Sequence, residues 1–357
     1  MKILTVAGTR PQLVKIAAVS RKLRKEFDEV LVNSGQHYDY NMAGVFFEEL
    51  NIPKPDYDLG VGSGAHGKQT GEMMIKLEDV FDKEQPDVVL VYGDTNSTLA
   101  GALVASKRLI PLIHIEAGLR SYNKAMPEEQ NRILTDNLSD LLFIPSDVAK
   151  QNLSKEGITE GIHNVGDVMM DAVFYNMDLA EEKHELEDYE LTKGEYILGT
   201  IHRAENTNDK EKLTAILESF AKLDKTVYLP LHPRTKKLIN EYGISNIVEA
   251  SDNIKIVEPI SYLEMLLLEK NAYAIVTDSG GVQKEAYFSK VPCLTLRDQT
   301  EWTETVELGW NKLINPLTDD LSKELLQIKP GKDIFDVYGD GNAADKIVSL
   351  IKEHYIK

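Results

Sequence analysis

Short apolar runs alternate with longer amphipathic segments from one end of the chain to the other. The runs read MKILTVA, EVLVNSG, DVVLVYGD, PLIHIEAG and LLFIPSD in the first half, and YILGTIHR, VYLPLHP, IKIVEPI, AYAIVTDSG and PCLTLRD in the second. Between them, segments such as QTGEMMIKLEDVFDKE and EKLTAILESFAKL carry apolar residues at helical spacing. Nearly continuous apolar strands separated by helices predict parallel sheets that are covered on both faces.

This alternation predicts an α/β protein with two doubly wound, Rossmann-like domains. A chain of 357 residues is long enough for both. We expect the first domain over residues 1–168 and the second over 169–340, joined near NVGDVMMDAVFYN, with a final helix over 341–357. In open parallel sheets the ligand binds beyond the carboxyl ends of the strands, so the residues directly after each apolar run are the site candidates.

Composition narrows the function classes. The formal net charge of −18 argues against a nucleic-acid partner, although a few arginines and helix N-termini can still hold a small anion. No run of about 18 apolar residues and no signal-peptide pattern is present, so we expect no membrane partner. Cys293 is the single cysteine and lies in an apolar run, which predicts a core residue in a cytoplasmic protein.

Charged side chains follow the apolar runs of the first half. In GTRPQLVK, Arg10 and Lys15 follow the first run, where one glycine stands in place of the three of a dinucleotide fingerprint. We interpret both cations as contacts for an anion, the alternative being a solvated turn. Asp94 ends the third run and either faces the ligand or caps the next helix. Glu116 ends a run that would otherwise bury it, and Glu128 stands at a predicted helix start.

The second half places His202 and Arg203 directly after its first apolar run. The motif VTDSGGVQKEA is a more specific signal, because three small residues there begin a helix after a strand: Ser279, Gly280 and Gly281. Backbone N–H groups at such a helix start can hold phosphate oxygens, and Glu285 lies far enough along to accept two ribose hydroxyls. This pattern predicts a nucleoside diphosphate site. Because the His and Glu residues are scattered singly, we expect no metal.

Six motifs together resemble the non-hydrolysing UDP-N-acetylglucosamine 2-epimerases. They are GTRP with its lysine, YGDTNST, HIEAGLR, PEExNR, HRxEN and TDSGGxQxEA, and they occur in order between about residue 1 and about residue 350. The resemblance implies two domains facing a central cleft, as in sugar-nucleotide glycosyltransferases of the GT-B type. It also implies a C-terminal helix that packs back toward the first domain, a homodimer, a UDP-sugar substrate and no cofactor.

The activity that the resemblance implies is inversion of C2 in a UDP-linked N-acetylhexosamine. UDP is eliminated in anti fashion to leave a 2-acetamidoglucal, and it then adds back. The implied catalytic residues are Asp94, Glu116, Glu128, His202 and Lys15. The implied substrate and UDP contacts are Arg10, Arg203, Pro259, Ile260, Ser279, Gly280, Gly281 and Glu285, with Pro259 and Ile260 near the uracil.

Three positions depart from the family pattern. Gln12 replaces the glutamate of GTRPE, Ala204 the second arginine of HRRE, and Trp302 the arginine of TERPE. Gln12 and Trp302 resemble a sister branch that epimerises UDP-2,3-diacetamido-2,3-dideoxy-glucuronate. A neutral amide near the sugar would remove repulsion toward a substrate carboxylate, and an indole would offer an acetamido methyl a flat wall. Ala204 and Trp302 argue against an activator site of the kind that bacterial members often carry.

Three other functions stay open at this level. A retaining glycosyltransferase of the same architecture would need an acceptor site and would not need three acidic residues at strand ends. A hydrolysing epimerase would release free sugar and UDP. A non-catalytic sugar-nucleotide sensor would keep the TDSGG motif and Glu285 but has no use for the acid/base candidates.

Overall fold

The computed structural model describes residues 1–35, 50, 52–332 and 337–356. The chain forms two compact units: unit 1 comprises Met1–Ala172 and Phe335–Lys357, and unit 2 comprises Val173–Ile334. Each unit is built on one parallel β-sheet, and the strands alternate with helices along the chain. The α/β class with two Rossmann-like units is thereby confirmed.

Unit 1 has a seven-stranded sheet in the order β3-β2-β1-β4-β5-β6-β7. Its strands are β1 (Lys2–Ala7), β2 (Asp28–Asn33), β3 (Tyr57–Asp58), β4 (Val88–Tyr92), β5 (Leu112–Ile115), β6 (Leu141–Ile144) and β7 (Ile162–Asn164). Its helices are α1 (Arg10–Leu23), α2 (His66–Glu84), α3 (Asn96–Lys107), α4 (Pro127–Leu138) and α5 (Asp147–Lys155), and α6 (Val168–Lys183) continues into unit 2.

Unit 2 has a six-stranded sheet in the order β10-β9-β8-β11-β12-β13. Its strands are β8 (Tyr196–Thr200), β9 (Thr226–Pro230), β10 (Ile254–Val257), β11 (Ala274–Thr277), β12 (Cys293–Thr295) and β13 (Asn311–Leu313). Its helices are α7 (Ala204–Thr207), α8 (Lys210–Ala221), α9 (Pro233–Glu241), α10 (Ser245–Glu249), α11 (Tyr262–Asn271), α12 (Gly280–Phe288), α13 (Thr303–Glu307) and α14 (Leu321–Gln327), with a 3₁₀ turn at Leu186–Tyr189.

The first strand of each unit lies inside its sheet, with strand order reversing beside it. β1 pairs in parallel with β2 and with β4, so that Leu4 lies opposite Val30 on one side and Val89 on the other. All three side chains are buried, as the apolar runs predict. Because the paired strands run parallel, the loops after β1, β4 and β5 emerge at the same edge of the sheet.

Three strands have no counterpart among the ten apolar runs. β3, β7 and β13 are two or three residues long and lie at or next to the sheet edges. Their sequences, YD, IHN and NKL, are too short and too polar to give an apolar run. Pairing with a neighbouring strand, rather than local pattern, defines them.

The C-terminal helix α15 (Ala343–Tyr355) packs against α1 in unit 1. Lys22 Nζ lies 3.0 Å from the Asp345 carboxylate, and Lys352 Nζ lies 2.6 Å from that of Glu26. The helix start is held by Asp171, whose oxygens accept the Ala343 and Ala344 N–H groups. The terminal segment therefore belongs to the compact body of unit 1.

Cys293 is buried at the start of β12, and burial raises the pKa of its thiol to about 12. The prediction of a core cysteine is confirmed. Within the described ranges, every helix is too short or too polar to cross a lipid bilayer.

Candidate active site

The strand ends of unit 1 bring together two acidic and two basic side chains. Lys15, from the second turn of α1, forms an ion pair with Glu116, and both side chains are about nine-tenths buried. Arg132, from α4, places Nη2 2.5 Å from Asp94 Oδ2. Asp94, Glu116 and Lys15 were predicted to share this edge; Arg132 was not singled out, although it closes the PEExNR motif.

The backbone of Glu116 is strained. Its φ angle is +70°, in the left-handed region, where a residue other than glycine costs on the order of 1–3 kcal/mol. Its N–H donates to the Phe143 carbonyl at 3.0 Å, which ties the turn to β6. A side chain at Gly93 would place Cβ 3.2 Å from Glu116 Oε2, so the loop after β4 packs tightly on this carboxylate. Strain held in this way fits a residue with a functional constraint.

Asp94 does not cap the helix that follows it. Thr95 occupies the N-cap of α3, and its side chain accepts the Thr98 N–H. Burial raises the pKa of Asp94, the Glu116 charge raises it further, and the Arg132 and Lys15 charges partly offset both effects. The net effect is a raised pKa, so this carboxyl group holds a proton more readily than a solvated aspartate.

Glu128 and Glu129 begin α4 and differ in their surroundings. Glu129 is 1% exposed and accepts the Ser121 and Tyr122 N–H groups, each at 2.8 Å. Burial alone would raise the pKa of Glu129, but these hydrogen bonds and the one from Arg132 outweigh it and lower the pKa. Glu129 is therefore an ionised support for Arg132, whereas Glu128 is only half-buried in the first turn.

Gln12 lies inside unit 1 and is 2% exposed. Its Nε2 donates to the Tyr92 carbonyl at 2.7 Å and to two threonine hydroxyls, those of Thr95 and Thr98. Its Oε1 accepts the Gly8 and Thr9 N–H groups. These contacts use every donor and acceptor of the amide, so Gln12 joins the loops after β1 and β4. Arg10 is the first residue of α1.

In unit 2, the loop after β8 wraps around Asp278. This carboxylate is fully buried and accepts the His202 N–H at 3.1 Å, the Arg203 N–H at 3.0 Å and the Asn206 side-chain N–H at 3.2 Å. The His202 ring is half-exposed, with Nδ1 3.5 Å from Asp278 Oδ1. Asp278 therefore fixes the backbone from which His202 and Arg203 project, a role that strand-end position alone did not reveal.

The N-terminus of α12 is surrounded by charged groups. Ser279 is its N-cap. A Cβ at Gly280 would lie 3.0 Å from Glu301 Oε1, 3.7 Å from an Arg203 nitrogen and 3.8 Å from an Arg297 nitrogen. The Arg297 side chain is 8% exposed, and its Nη1 lies 3.2 Å from Glu301 Oε2, with which it forms an ion pair. Two guanidinium groups beside a helix N-terminus can hold an anion, which here would share Arg297 with the Glu301 carboxylate. Gly281, the second residue of the helix, is exposed.

Glu285 lies on the buried side of α12, next to Glu269 of α11. Both are almost fully buried. Burial raises the pKa of Glu269 well above its usual range, and the charge of Glu285 and a hydrogen bond to it raise it further. Glu269 therefore holds a proton more readily than a solvated glutamate, and its neutral form avoids a second buried negative charge beside Glu285. Sequence analysis missed it because nothing in the helical pattern YLEMLLLEKN, which has two glutamates, shows that Glu269 is the buried one.

The remaining predicted residues lie on separate segments of unit 2. Pro259 is exposed and Ile260 half-buried on the loop between β10 and α11. Ala204 is the first residue of α7. Trp302 is 7% exposed at the N-cap of α13, and Lys284 Nζ lies 3.8 Å from the centroid of its ring. The indole thus stacks with a buried cation.

Comparison with known proteins places the chain among sugar-nucleotide epimerases. The family model for UDP-N-acetylglucosamine 2-epimerase matches residues 21–352. The chain is 49% identical to a UDP-N-acetylglucosamine 2-epimerase homolog of Methanococcus maripaludis, over 99% of both chains. It is 46% identical to the UDP-2,3-diacetamido-2,3-dideoxy-D-glucuronate 2-epimerase of Pseudomonas aeruginosa, over 98% of this chain and 99% of the relative.

A solved structure gives the same result. The Methanocaldococcus jannaschii UDP-GlcNAc 2-epimerase, crystallised in complex with UDP-GlcNAc and UDP, superposes with a TM-score of 0.88 at 46% identity. The match covers 99% of this chain and 100% of that one. The resemblance drawn from the six motifs is confirmed over almost the whole length.

Proposed function

Because the chain belongs to the UDP-N-acetylglucosamine 2-epimerase family, we propose that it inverts C2 of a UDP-linked N-acetylhexosamine, with UDP-GlcNAc as the substrate. The reaction is non-hydrolysing and leaves the sugar joined to UDP. The observation that carries the proposal is the acid/base cluster of unit 1, in which Lys15 pairs with a strained Glu116 and Arg132 pairs with Asp94. A protein that only bound sugar nucleotides would have no use for this cluster.

The proposed reaction has two halves. A carboxylate removes the C2 proton, the C2–H electrons form a C1–C2 double bond, and the C1–O electrons leave with UDP. In the second half a proton is delivered to the opposite face of C2 and a UDP oxygen re-forms the bond to C1. No electrons are lost or gained, so the chemistry needs no redox cofactor. A C2 proton is weakly acidic, and its removal therefore needs a positioned base and a stabilised leaving group.

The two faces of C2 need separate proton carriers, and the cluster offers carboxyl groups in different states. Glu116 is held beside the Lys15 ammonium, which favours its ionised form as the base. Asp94 has a raised pKa, which suits a group that keeps a proton and then delivers it. Glu128 is a third carboxylate at the start of α4. We assign proton transfer at C2 to these three residues.

UDP gains negative charge as it leaves C1, and unit 2 offers the groups that stabilise it. The N-terminus of α12, with Ser279, Gly280 and Gly281, and the Arg203 and Arg297 guanidinium groups receive the diphosphate. His202 projects from the loop that Asp278 fixes and protonates or hydrogen-bonds the departing oxygen. We assign the ribose hydroxyls to Glu285, the uracil to Pro259 and Ile260, and further diphosphate contacts to Arg10.

A second candidate substrate is UDP-2,3-diacetamido-2,3-dideoxy-glucuronate. The P. aeruginosa relative that is named for this sugar is 46% identical, close to the 45% of the M. jannaschii UDP-N-acetylglucosamine 2-epimerase. The observation that favours the acidic sugar is the buried Lys284 ammonium on the face of Trp302, the position where the common family motif has arginine. A buried cation would offset the charge of a uronate.

Product analysis tests the proposal. The purified protein is incubated with UDP-GlcNAc or with the diacetamido-glucuronate nucleotide, with EDTA present and with neither NAD nor an acceptor added, and products are followed by proton and phosphorus NMR. We expect a second UDP-sugar anomeric signal and no accumulation of free sugar. Free sugar plus stoichiometric UDP would show a hydrolase, and an unchanged spectrum with both substrates would contradict epimerase activity.

A further inference from the structure

His114 is fully buried in β5, two residues before Glu116, and has a hydrogen-bond partner at each ring nitrogen. Nδ1 lies 2.7 Å from Asp136 Oδ1, and Nε2 lies 2.7 Å from the Gly93 carbonyl oxygen. Both partners are acceptors: a carbonyl oxygen has no proton, and a carboxylate has none when ionised. The ring therefore meets two acceptors and no donor.

A neutral imidazole carries one N–H and one lone pair. In either tautomer, a ring lone pair of His114 would face an oxygen lone pair at 2.7 Å, a separation too short for a bridging water. Leaving a buried polar pair unsatisfied in this way is costly. The imidazolium form donates at both nitrogens and satisfies both contacts.

The groups around the ring support the same protonation state. Asp136 also accepts from Arg120 Nη1 at 2.7 Å and from the Gly118 N–H, which favours its ionised form. Arg120 in turn donates to both Glu156 oxygens, at 2.7 and 2.6 Å. With His114 charged, two cations and two carboxylates alternate along this network. With His114 neutral, Arg120 would be the one cation among these four groups, shared between the buried Asp136 carboxylate and the partly exposed Glu156 carboxylate.

The network lies directly behind the carboxylates of the cluster. The Gly93 carbonyl that His114 holds immediately precedes Asp94, and the Gly93 N–H donates to the Ile115 carbonyl at 2.9 Å. Gly93 is also the position at which an added Cβ would meet Glu116 Oε2 at 3.2 Å. The ring thus joins the loop after β4 to β5, the strand that directly precedes Glu116.

We propose that His114 is a positioning residue, an imidazolium whose two N–H donors fix the loops that carry Asp94 and Glu116. Its effect on turnover depends on the proposed epimerase function, whereas its charge does not. The ring donates no proton to the substrate, because both of its protons are held by Asp136 and Gly93. Its contribution is geometric, and misplacement of the carboxylates by 1 Å is enough to cost about a hundredfold in rate.

The charge is tested without any substrate. The full chain is labelled with ¹⁵N in its histidine rings, and ring N–H correlations are recorded at neutral and mildly alkaline pH. The His114 signals are assigned by their loss in His114→Gln. We expect a bound proton at both ring nitrogens; a non-protonated ring nitrogen in His114 would overturn the proposal, whether or not the protein proves to be an epimerase.

The positioning role is tested with His114→Gln and with His163→Gln, a control at the partly exposed histidine of β7 in the same unit. We expect His114→Gln to lower kcat by at least about tenfold while KM and UDP affinity change little. The control should keep both parameters. If His114→Gln does not fold, Asp136→Asn replaces it, and that variant should lose one ring proton as well as kcat. A folded variant whose kcat equals that of the parent protein would refute the positioning role of His114.

Discussion

At the scale of single residues, the proposed chemistry depends on the different partners of three carboxyl groups. Glu116 pairs with Lys15, Asp94 pairs with Arg132 and has a raised pKa, and Glu128 is half-buried. Asp94 therefore holds a proton more readily than a solvated aspartate, whereas the Lys15 ammonium favours the ionised form of Glu116. That difference is what a reaction with proton transfer on two faces of one carbon requires.

We expect Asp94→Asn, Glu116→Gln and Glu128→Gln each to lower turnover by roughly 10²–10⁴-fold, the range for loss of a general acid or base. UDP affinity, measured by calorimetry, should change little because the nucleotide contacts are assigned mainly to unit 2. Asp79→Asn, at an exposed position of α2, is the matched control and should leave turnover unchanged. If one of these three variants keeps near-normal turnover, the residue that it replaces has a structural role instead.

Glu269 gives a prediction about stability and pH. Its pKa in the folded chain lies well above the usual 4.5, so the folded state keeps a proton that the unfolded state releases. The stability from Glu269 is therefore complete below about pH 4.5 and is lost, at about 1.4 kcal/mol per pH unit, as pH rises toward the folded pKa.

Glu269→Gln replaces the carboxyl group by a neutral amide of similar size and removes this proton linkage. The variant should be more stable than the parent at about pH 8, and the difference should shrink toward about pH 5, as measured by urea unfolding. Glu218→Gln, at an exposed position of α8, serves as the control. A stability difference that does not vary with pH would show that Glu269 is ionised in the folded protein.

At the scale of elements, Gln12 shows how two loops are held in register. It is the third residue of α1, and its amide joins the turn after β1 to the turn after β4 through the Tyr92 carbonyl. Thr9 and Gln12 form the T-x-x-Q pattern of a capping box, which the sequence displays. Its contacts with Tyr92 and Thr98 join segments about 80 residues apart, and no local pattern reveals them.

Gln12→Glu separates this structural role from a direct contact with the sugar. A carboxylate would still accept the Gly8 and Thr9 N–H groups but would face the Tyr92 carbonyl without a donor. We expect a loss of about 1–3 kcal/mol in unfolding free energy. We also expect kcat/KM for UDP-GlcNAc and for the diacetamido-glucuronate nucleotide to fall by the same factor. A changed ratio between the two substrates would place Gln12 at the sugar instead.

The difference between local sequence pattern and long-range contact also explains how much of the site could be predicted. Strand ends could be read from apolar runs, so the location of Asp94, Glu116 and His202 just after strands could be predicted. Arg132, Asp278 and Glu269 act through partners on other elements, and which partner a charge meets depends on the packed fold. The short edge strands β3, β7 and β13 were not predicted for a related reason: pairing with a neighbouring strand, rather than composition, defines them.

At the scale of the whole molecule, the net charge of −18 opposes an anionic substrate, whereas the cations that we propose as its contacts attract it locally. Salt screens the long-range repulsion more than the short-range contacts of buried groups. We therefore expect kcat/KM to rise when ionic strength increases from about 10 mM to about 150 mM, as the Debye length falls from about 30 Å to about 8 Å. Initial rates with a neutral salt measure this. A steep fall in kcat/KM over that range would mean that local positive charge dominates capture.

Exchange of the C2 hydrogen tests the central claim most directly. UDP-GlcNAc is incubated with the protein in deuterated buffer, and both the recovered substrate and the product are examined by NMR and mass spectrometry. Removal of the C2 proton and re-addition from solvent-exchangeable carboxyl groups predicts one deuterium at C2 in both UDP-sugars, and none with Glu116→Gln. Formation of the 2-epimer with its original C2 hydrogen retained, or recovery of unlabelled and unchanged UDP-GlcNAc, would contradict the account.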